Sequence, residues 1–308
     1  MISTGELGRI VFGCGNIGGL GSSPSLRDKG DSRETGIRLL DHARDLGITR
    51  FDTANTYGGG MSEQVLGEWL GGQGVSARAG LQIATKVGNP NGCPNGDRPL
   101  SRGQVALHLD ESLRRLGLEQ IGLYYLHEFD AATPLDETLE ALDRAIVAGK
   151  IAAFGVSNAT LADLRAVLAL CGDGRLRRAF TTVQNQFNLL EQGDLAELIP
   201  LCAAEGLDYV AFSPLAGGLL SGKYQFGQDA QPGTRVNDAP DFYAHLLTPQ
   251  TFAAIETLRQ RASANGWTVP GAALRFILDT PGAPSLIIAP RSASQFDGYG
   301  INSDVAVA

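Results

Sequence analysis

Short β-branched or aromatic runs alternate with helix-period segments along almost the whole chain, and that alternation restricts the fold more than any single motif. The runs are Arg9–Gly13, Ile48–Ala54, Leu81–Val87, Ile121–His127, Ile151–Ser157, Phe180–Phe187, Leu207–Ser213 and Pro284–Ala289. Amphipathic stretches separate them, at 33–46, 62–71, 101–116, 135–149, 160–170, 194–205, 249–264 and 269–279. In the first of these, Ile37, Leu39, Leu40, Ala43 and Leu46 fall largely on one face. Eight strands alternating with helices over mostly short connections count out an α/β fold, the (β/α)8 TIM barrel. The repeat lacks self-similarity, which excludes a solenoid. A chain of 308 residues suits two domains or one barrel. No linker or composition break interrupts it, so 1–308 reads as a single barrel domain. Two loops are long, 88–100 and 214–248, and both follow strand C-termini, the face where barrels build their sites.

Composition narrows the function classes. A hydrophobic share of 43% supports a large core and excludes disorder. The net charge of −8 gives no general attraction for phosphate backbones or anionic lipid, so neither nucleic acid nor membrane is an expected partner. No stretch reaches the roughly 20 apolar residues of a membrane span. The start, Met-Ile-Ser-Thr-Gly-Glu-Leu, lacks a basic region followed by an apolar one, so a cytoplasmic location is expected. Cys14, Cys93, Cys171 and Cys202 lie far apart, without CxxC or histidine at ligand spacing. They read as reduced, buried thiols, with no metal site.

Gly13-Cys14-Gly15-Asn16-Ile17-Gly18 matches GxGxxG after a strand. A dinucleotide turn needs a helix at once and an acidic residue about 20 positions on. Gly-Leu-Gly-Ser-Ser-Pro-Ser-Leu follows instead, so the segment is read as a glycine-rich loop allowing close backbone approach at the barrel mouth. The absence of any Tyr-x-x-x-Lys pair argues against a short-chain dehydrogenase.

Chemistry concentrates on three neighbouring strand ends. Ile48–Ala54 carries Asp52, Leu81–Val87 carries Lys86, and Ile121–His127 ends in His127. Tyr57 opens the glycine turn above them. Lys86 is one of only four lysines, and burying an ammonium on a strand is costly unless it is paired, which Asp52 allows. Taken singly, Asp52 and Lys86 suit an ordinary barrel ion pair, His127 a hydrogen-bonded core histidine, and Tyr57 a loop aromatic. Together they suit proton transfer to a carbonyl oxygen. A nearby ammonium is expected to lower the phenol pKa from about 10 toward the working range.

Phe51-Asp52-Thr53-Ala54-Asn55-Thr56-Tyr57-Gly58 with Ser62-Glu63, Ala84-Thr85-Lys86, Leu123-Tyr124-Tyr125-Leu126-His127, Gly149-Lys150-Ile151 and Gly155-Val156-Ser157-Asn158 resembles the aldo-keto reductase superfamily. The similar branch holds bacterial reductases and potassium-channel β subunits, and the likeness runs from about residue 8 to about 297. The resemblance implies a (β/α)8 barrel using NADPH (NADP+), less often NADH, without a metal. It implies Tyr57 as general acid, with Asp52, Lys86 and His127. Ser157, Asn158 and Gln184 match positions holding the nicotinamide carboxamide, and Phe212 the aromatic stacked on the nicotinamide ring. Ser213, Leu215, Gly218 and Lys223 match the pyrophosphate belt. Arg291 and Ser292 match a 2′-phosphate site and Gln295 an adenine contact. The usual Glu-Asn pair is replaced by Gly298-Tyr299.

The implied activity is NADPH-dependent reduction of a small aldehyde or ketone. The alternatives are a cofactor-sensing regulatory protein, or a barrel enzyme using Lys86 as a Schiff base. Phe129, Tyr124, Phe226, Tyr243 and His245 are candidate pocket residues. A homo-oligomer is compatible with the sequence.

Overall fold

The computed structural model describes residues 2–93, 98–282 and 284–301. Each of the eight runs forms a strand: β1 (Ile10–Gly13), β2 (Arg50–Asp52), β3 (Gln82–Val87), β4 (Ile121–Leu126), β5 (Ile151–Ser157), β6 (Phe180–Gln186), β7 (Asp208–Phe212) and β8 (Ser285–Ile288). They pair in parallel in chain order, and β8 returns to β1, closing the barrel. Helices connect the strands, so the (β/α)8 expectation holds.

The helices start where their side chains satisfy free backbone donors. Ser32, Thr160, Thr248 and Thr268 each accept a bond from a backbone N–H three residues on. Such caps contribute about 1 kcal/mol each. The expected helix at 194–205 divides into a 3-10 turn, Gly193–Leu195, and a helix, Leu198–Ala204. Pro200 lacks an N–H, so it is tolerated only in a first turn, and the helix begins just ahead of it. A short C-terminal helix, Ala293–Gly298, follows β8.

Alternation along β4 separates two adjacent tyrosines. Tyr124 points outward into the main core between strands and helices and is fully buried, so it lines no pocket, contrary to expectation. Tyr125 points inward, opposite Lys86 on β3 and Gly155 on β5. A Cβ at Gly155 would lie 2.6 Å from the Tyr125 ring, so that position has room only for glycine. A small apolar cluster of Val11, Val210 and Ile287 packs against Phe212. The strand C-termini above it are left to polar side chains.

Candidate active site

β2 ends early because the chain must leave the sheet to bring Tyr57 back over the barrel mouth. Thr53 and Asn55 still donate to the Ala84 and Lys86 carbonyls, and Tyr57 N–H closes a turn onto Ala54. Gly58, Gly59 and Gly60 then adopt φ of +57°, +69° and +97°, a left-handed run that L side chains resist. The helix Met61–Gly72 starts directly after it. The first glycine-rich loop packs against this turn: a Cβ at Gly58 would meet Gly18 backbone at 2.8 Å, and one at Gly15 the Tyr57 ring at 3.5 Å. No α-helix follows that loop until Arg33, so GxGxxG here is no dinucleotide turn, and its Gly13, Gly15 and Asn16 line the pocket beside Tyr57.

Lys86 is fully buried, and its three ammonium hydrogens have three acceptors. They go to Asp52 Oδ1, to the Thr53 carbonyl at 2.8 Å and to the Tyr57 hydroxyl oxygen at 3.3 Å. Because Tyr57 Oη accepts from Lys86, its own O–H is free to point into the pocket. Burial works against a charged Lys86, but Asp52 and Tyr57 outweigh it and hold the pKa above its ordinary value. Burial also dominates at Tyr57. It exceeds the opposing pull of Lys86, and the phenol lies above its ordinary pKa, where lowering was expected. The physical reason is desolvation of the tyrosinate. His127 stands edge-on to Tyr57, ring centroids 5.6 Å apart. Burial first, and Lys86 second, push its pKa well below the usual imidazole value, so it is neutral, and its Nδ1 is buried without a partner.

The residues expected at the nicotinamide lie around this centre. Ser157, Asn158 and Gln184 line a pocket of about 150 Å³ with Asp52, Tyr57, His127 and Phe212. Asn158 Nδ2 donates to the His127 carbonyl at 2.9 Å, and Gln184 Nε2 to Asp52 Oδ2 at 2.9 Å. Phe212 stands where this pocket opens into a cleft of about 410 Å³. Along it lie Ser213, Leu215, Gly218, Lys223, Arg291 and Gln295. Asn158, Ser213 and Ala216 are the three non-glycine residues with positive φ among those described, at +54°, +55° and +46°. Strain of that kind gathers at functional sites. Gly217 lies under the Tyr243 ring, and the Lys223 side chain crosses Gly218.

Other expectations meet a different environment. Arg291 Nε donates to Asp31 at 2.9 Å, and its backbone N–H donates to Gln295 Oε1. Ser292 is exposed at the N-cap of Ala293–Gly298, bonded to Ser294 rather than set on the cleft wall. Of the pocket candidates, Tyr243 lines the cleft. Phe226 packs on Phe252, His245 pairs with Glu191, and Phe129 packs on the main core. Residues 94–97 of the loop 88–100 lie outside the described residues.

Sequence reasoning missed Asn16 and Arg235, which line both cavities. They are linked, Arg235 donating to Asn16 Oδ1 at 3.3 Å. A lone arginine in the long loop 214–248 after β7 was the available signal. The large cleft thus carries Lys223, Arg235 and Arg291 and, among the described residues, no carboxylate, on a chain of net charge −8. Glycine backbone, an aromatic face and local positive charge fit a dinucleotide with its pyrophosphate.

Fold and site together define a barrel oxidoreductase. Comparison with known proteins identifies the lineage: the model of the Aldo/keto reductase family matches residues 9–299, and this chain belongs to that family. It is 36% identical over 272 residues to an uncharacterised oxidoreductase, YrpG, of Bacillus subtilis, covering 85% of this chain and 80% of that protein. It is 32% identical to the L-glyceraldehyde 3-phosphate reductase of Escherichia coli, over 84% of this chain and 76% of that one. Among solved structures, the glycerol dehydrogenase of Gluconobacter oxydans superposes with a TM-score of 0.75 at 26% identity, covering 96% of this chain and 86% of that one. The chain is therefore an NAD(P)H-dependent oxidoreductase of a family acting on small carbonyl compounds. No helix among the described residues is long and apolar enough to cross a membrane.

Proposed function

We propose that this chain reduces an aldehyde or ketone with NADPH, and that Tyr57 protonates the carbonyl oxygen. The observation that carries the reading is the 3.3 Å contact from Lys86 Nζ to Tyr57 Oη, beside neutral His127 and at the end of a cation-lined cleft. Reduced nicotinamide, when bound, supplies the hydride. Lys223 and Arg235 would hold its pyrophosphate, Arg291 its 2′-phosphate, Ser157 and Asn158 its carboxamide, and Phe212 its ring.

The chain's own part is acid catalysis. Tyr57 enters the reaction protonated, since burial holds its pKa up. As Oη gives its proton to the carbonyl oxygen, the growing phenolate charge meets the fixed Lys86 ammonium. Lys86 cannot swing away, because Asp52 and the Thr53 carbonyl take its other hydrogens. That is stabilisation of developing charge by a preorganised cation. His127, neutral, offers an imidazole N–H to the same carbonyl oxygen.

Tyr57→Phe tests the reading. It should bind NADPH with unchanged affinity and lose at least about 100-fold in kcat. Glyceraldehyde, its 3-phosphate and an aromatic aldehyde, followed by NADPH absorbance, make the first panel. Undiminished turnover in the variant would refute the role of Tyr57.

A further inference from the structure

Cys93 follows the 3-10 turn Pro90–Gly92 in the loop after β3. Its Sγ lies 3.7 Å from His108 Nε2 and 3.6 Å from Gln104 Oε1, both on the helix Arg102–Leu116. One turn further along, Glu111 Oε2 stands 3.4 Å from His108 Nδ1. Arg115 holds Glu111 at 3.3 Å and sends its Nε to Glu63, so the carboxylate is fixed in place. A carboxylate beside Nδ1 favours the tautomer with the proton there, leaving Nε2 as an acceptor facing the thiol. Among the described residues, His108 faces Glu111 and, behind it, Arg115 and Glu63. Cys93 and His108 are each 9% exposed, just beneath the surface.

The geometry points to Cys93 as a hydroperoxide-reactive thiol, activated by His108 and Glu111. His108 Nε2 takes the Sγ proton, and the thiolate attacks hydrogen peroxide. An S–O bond forms and the O–O bond breaks. The departing oxygen leaves as hydroxide and takes the proton from His108 to become water. Sulfur is oxidised by two electrons to the sulfenic acid, and the peroxide is reduced. A histidine partner raises the thiolate fraction, which is the reactive form. Burial pushes Cys171 up to about 11, Cys202 up to about 12 and Cys14 higher still, so they remain thiols. The cluster also borders the reductive site. A Cβ at Gly92, next to Cys93, would lie 3.1 Å from Thr56 and 3.5 Å from Asn55, the residues leading into Tyr57.

The test treats the full chain with sub-millimolar hydrogen peroxide and dimedone at neutral pH, with adducts located by peptide mass spectrometry. Cys93 should label at least about tenfold faster than Cys14, Cys171 and Cys202. His108→Gln should slow Cys93 labelling about tenfold, with the thermal melt confirming a folded chain. Should that variant not fold, Glu111→Gln takes its place and must also slow labelling. In the wild type, the pH profile of Cys93 alkylation should inflect below the ordinary thiol pKa of about 8.5, and the variant profile at or above it. Equal labelling of all four cysteines, or an unchanged Cys93 rate in a folded variant, overturns the proposal.

Discussion

Gln184 reaches across the barrel from β6 and donates through Nε2 to Asp52 Oδ2 at 2.9 Å. A residue matched to the cofactor is thereby coupled to the carboxylate that anchors the lysine. Asp52 has one oxygen on Lys86 and the other on Gln184, so it is held at both ends.

Gln184→Ala removes one of those two supports. Leaving a buried acceptor unpaired costs about 1–3 kcal/mol. A drop in unfolding free energy of that size by urea denaturation is expected, together with lower kcat from a loosened Lys86. A variant matching the wild type in both would separate Gln184 from the site.

Lys86→Met should be worse, since it strands Asp52 as a buried, unpaired charge. The expected loss is about 3–5 kcal/mol. Adding Asp52→Asn removes the stranded charge, so the double variant should be more stable than Lys86→Met alone while remaining without reductase activity. Urea midpoints and steady-state rates check both halves; a double variant no more stable than the single would contradict the pairing.

His127 makes stability depend on pH. Its folded pKa lies well below the unfolded value near 6.5. Between those values the unfolded chain binds a proton that the folded chain refuses. Stability from this group is therefore present above about pH 6.5 and is lost as pH falls below it. His127→Gln should flatten the melting-temperature profile in that window. Parallel profiles for the two proteins would exclude the effect.

Under the proposed function, Arg291 would meet the 2′-phosphate, and its partner Asp31 would modulate coenzyme choice. Asp31 is buried, and its second oxygen, Oδ2, has no hydrogen-bond partner. Its pairing with Arg291 offsets the charge that a 2′-phosphate would meet. Arg291→Ala should weaken NADPH binding by about tenfold or more while sparing NADH. Asp31→Asn should shift the NADPH-to-NADH affinity ratio severalfold the other way. Fluorescence titration of both nucleotides reads each ratio, and a ratio unmoved by either change would remove Arg291 from the 2′-phosphate site.

The barrel was legible because its signal is local and repeated. Eight apolar runs each recur at strand length, and helix starts such as Ser32 and Thr268 sit one residue ahead of periodic segments. Asp52, Lys86 and His127 were legible for the same reason: neighbouring parallel strands deliver their C-terminal residues to one face whatever the details. Tyr124 was misjudged because a strand's two faces are chosen by packing, and its neighbour Tyr125 took the inward one.

The chain's order of residues alone determined the closed parallel cylinder and the roster of polar groups at its rim. Only the folded molecule decided how those groups behave. Whether Lys86 or desolvation controls the phenol of Tyr57 depends on how much water three-dimensional packing removes, and here burial prevails. The attachment of Arg291 to Asp31 and the approach of Cys93 to His108 arise from loops meeting elements far along the chain or across a turn. No periodicity records such meetings, because they follow from the excluded volume and charge of the finished structure.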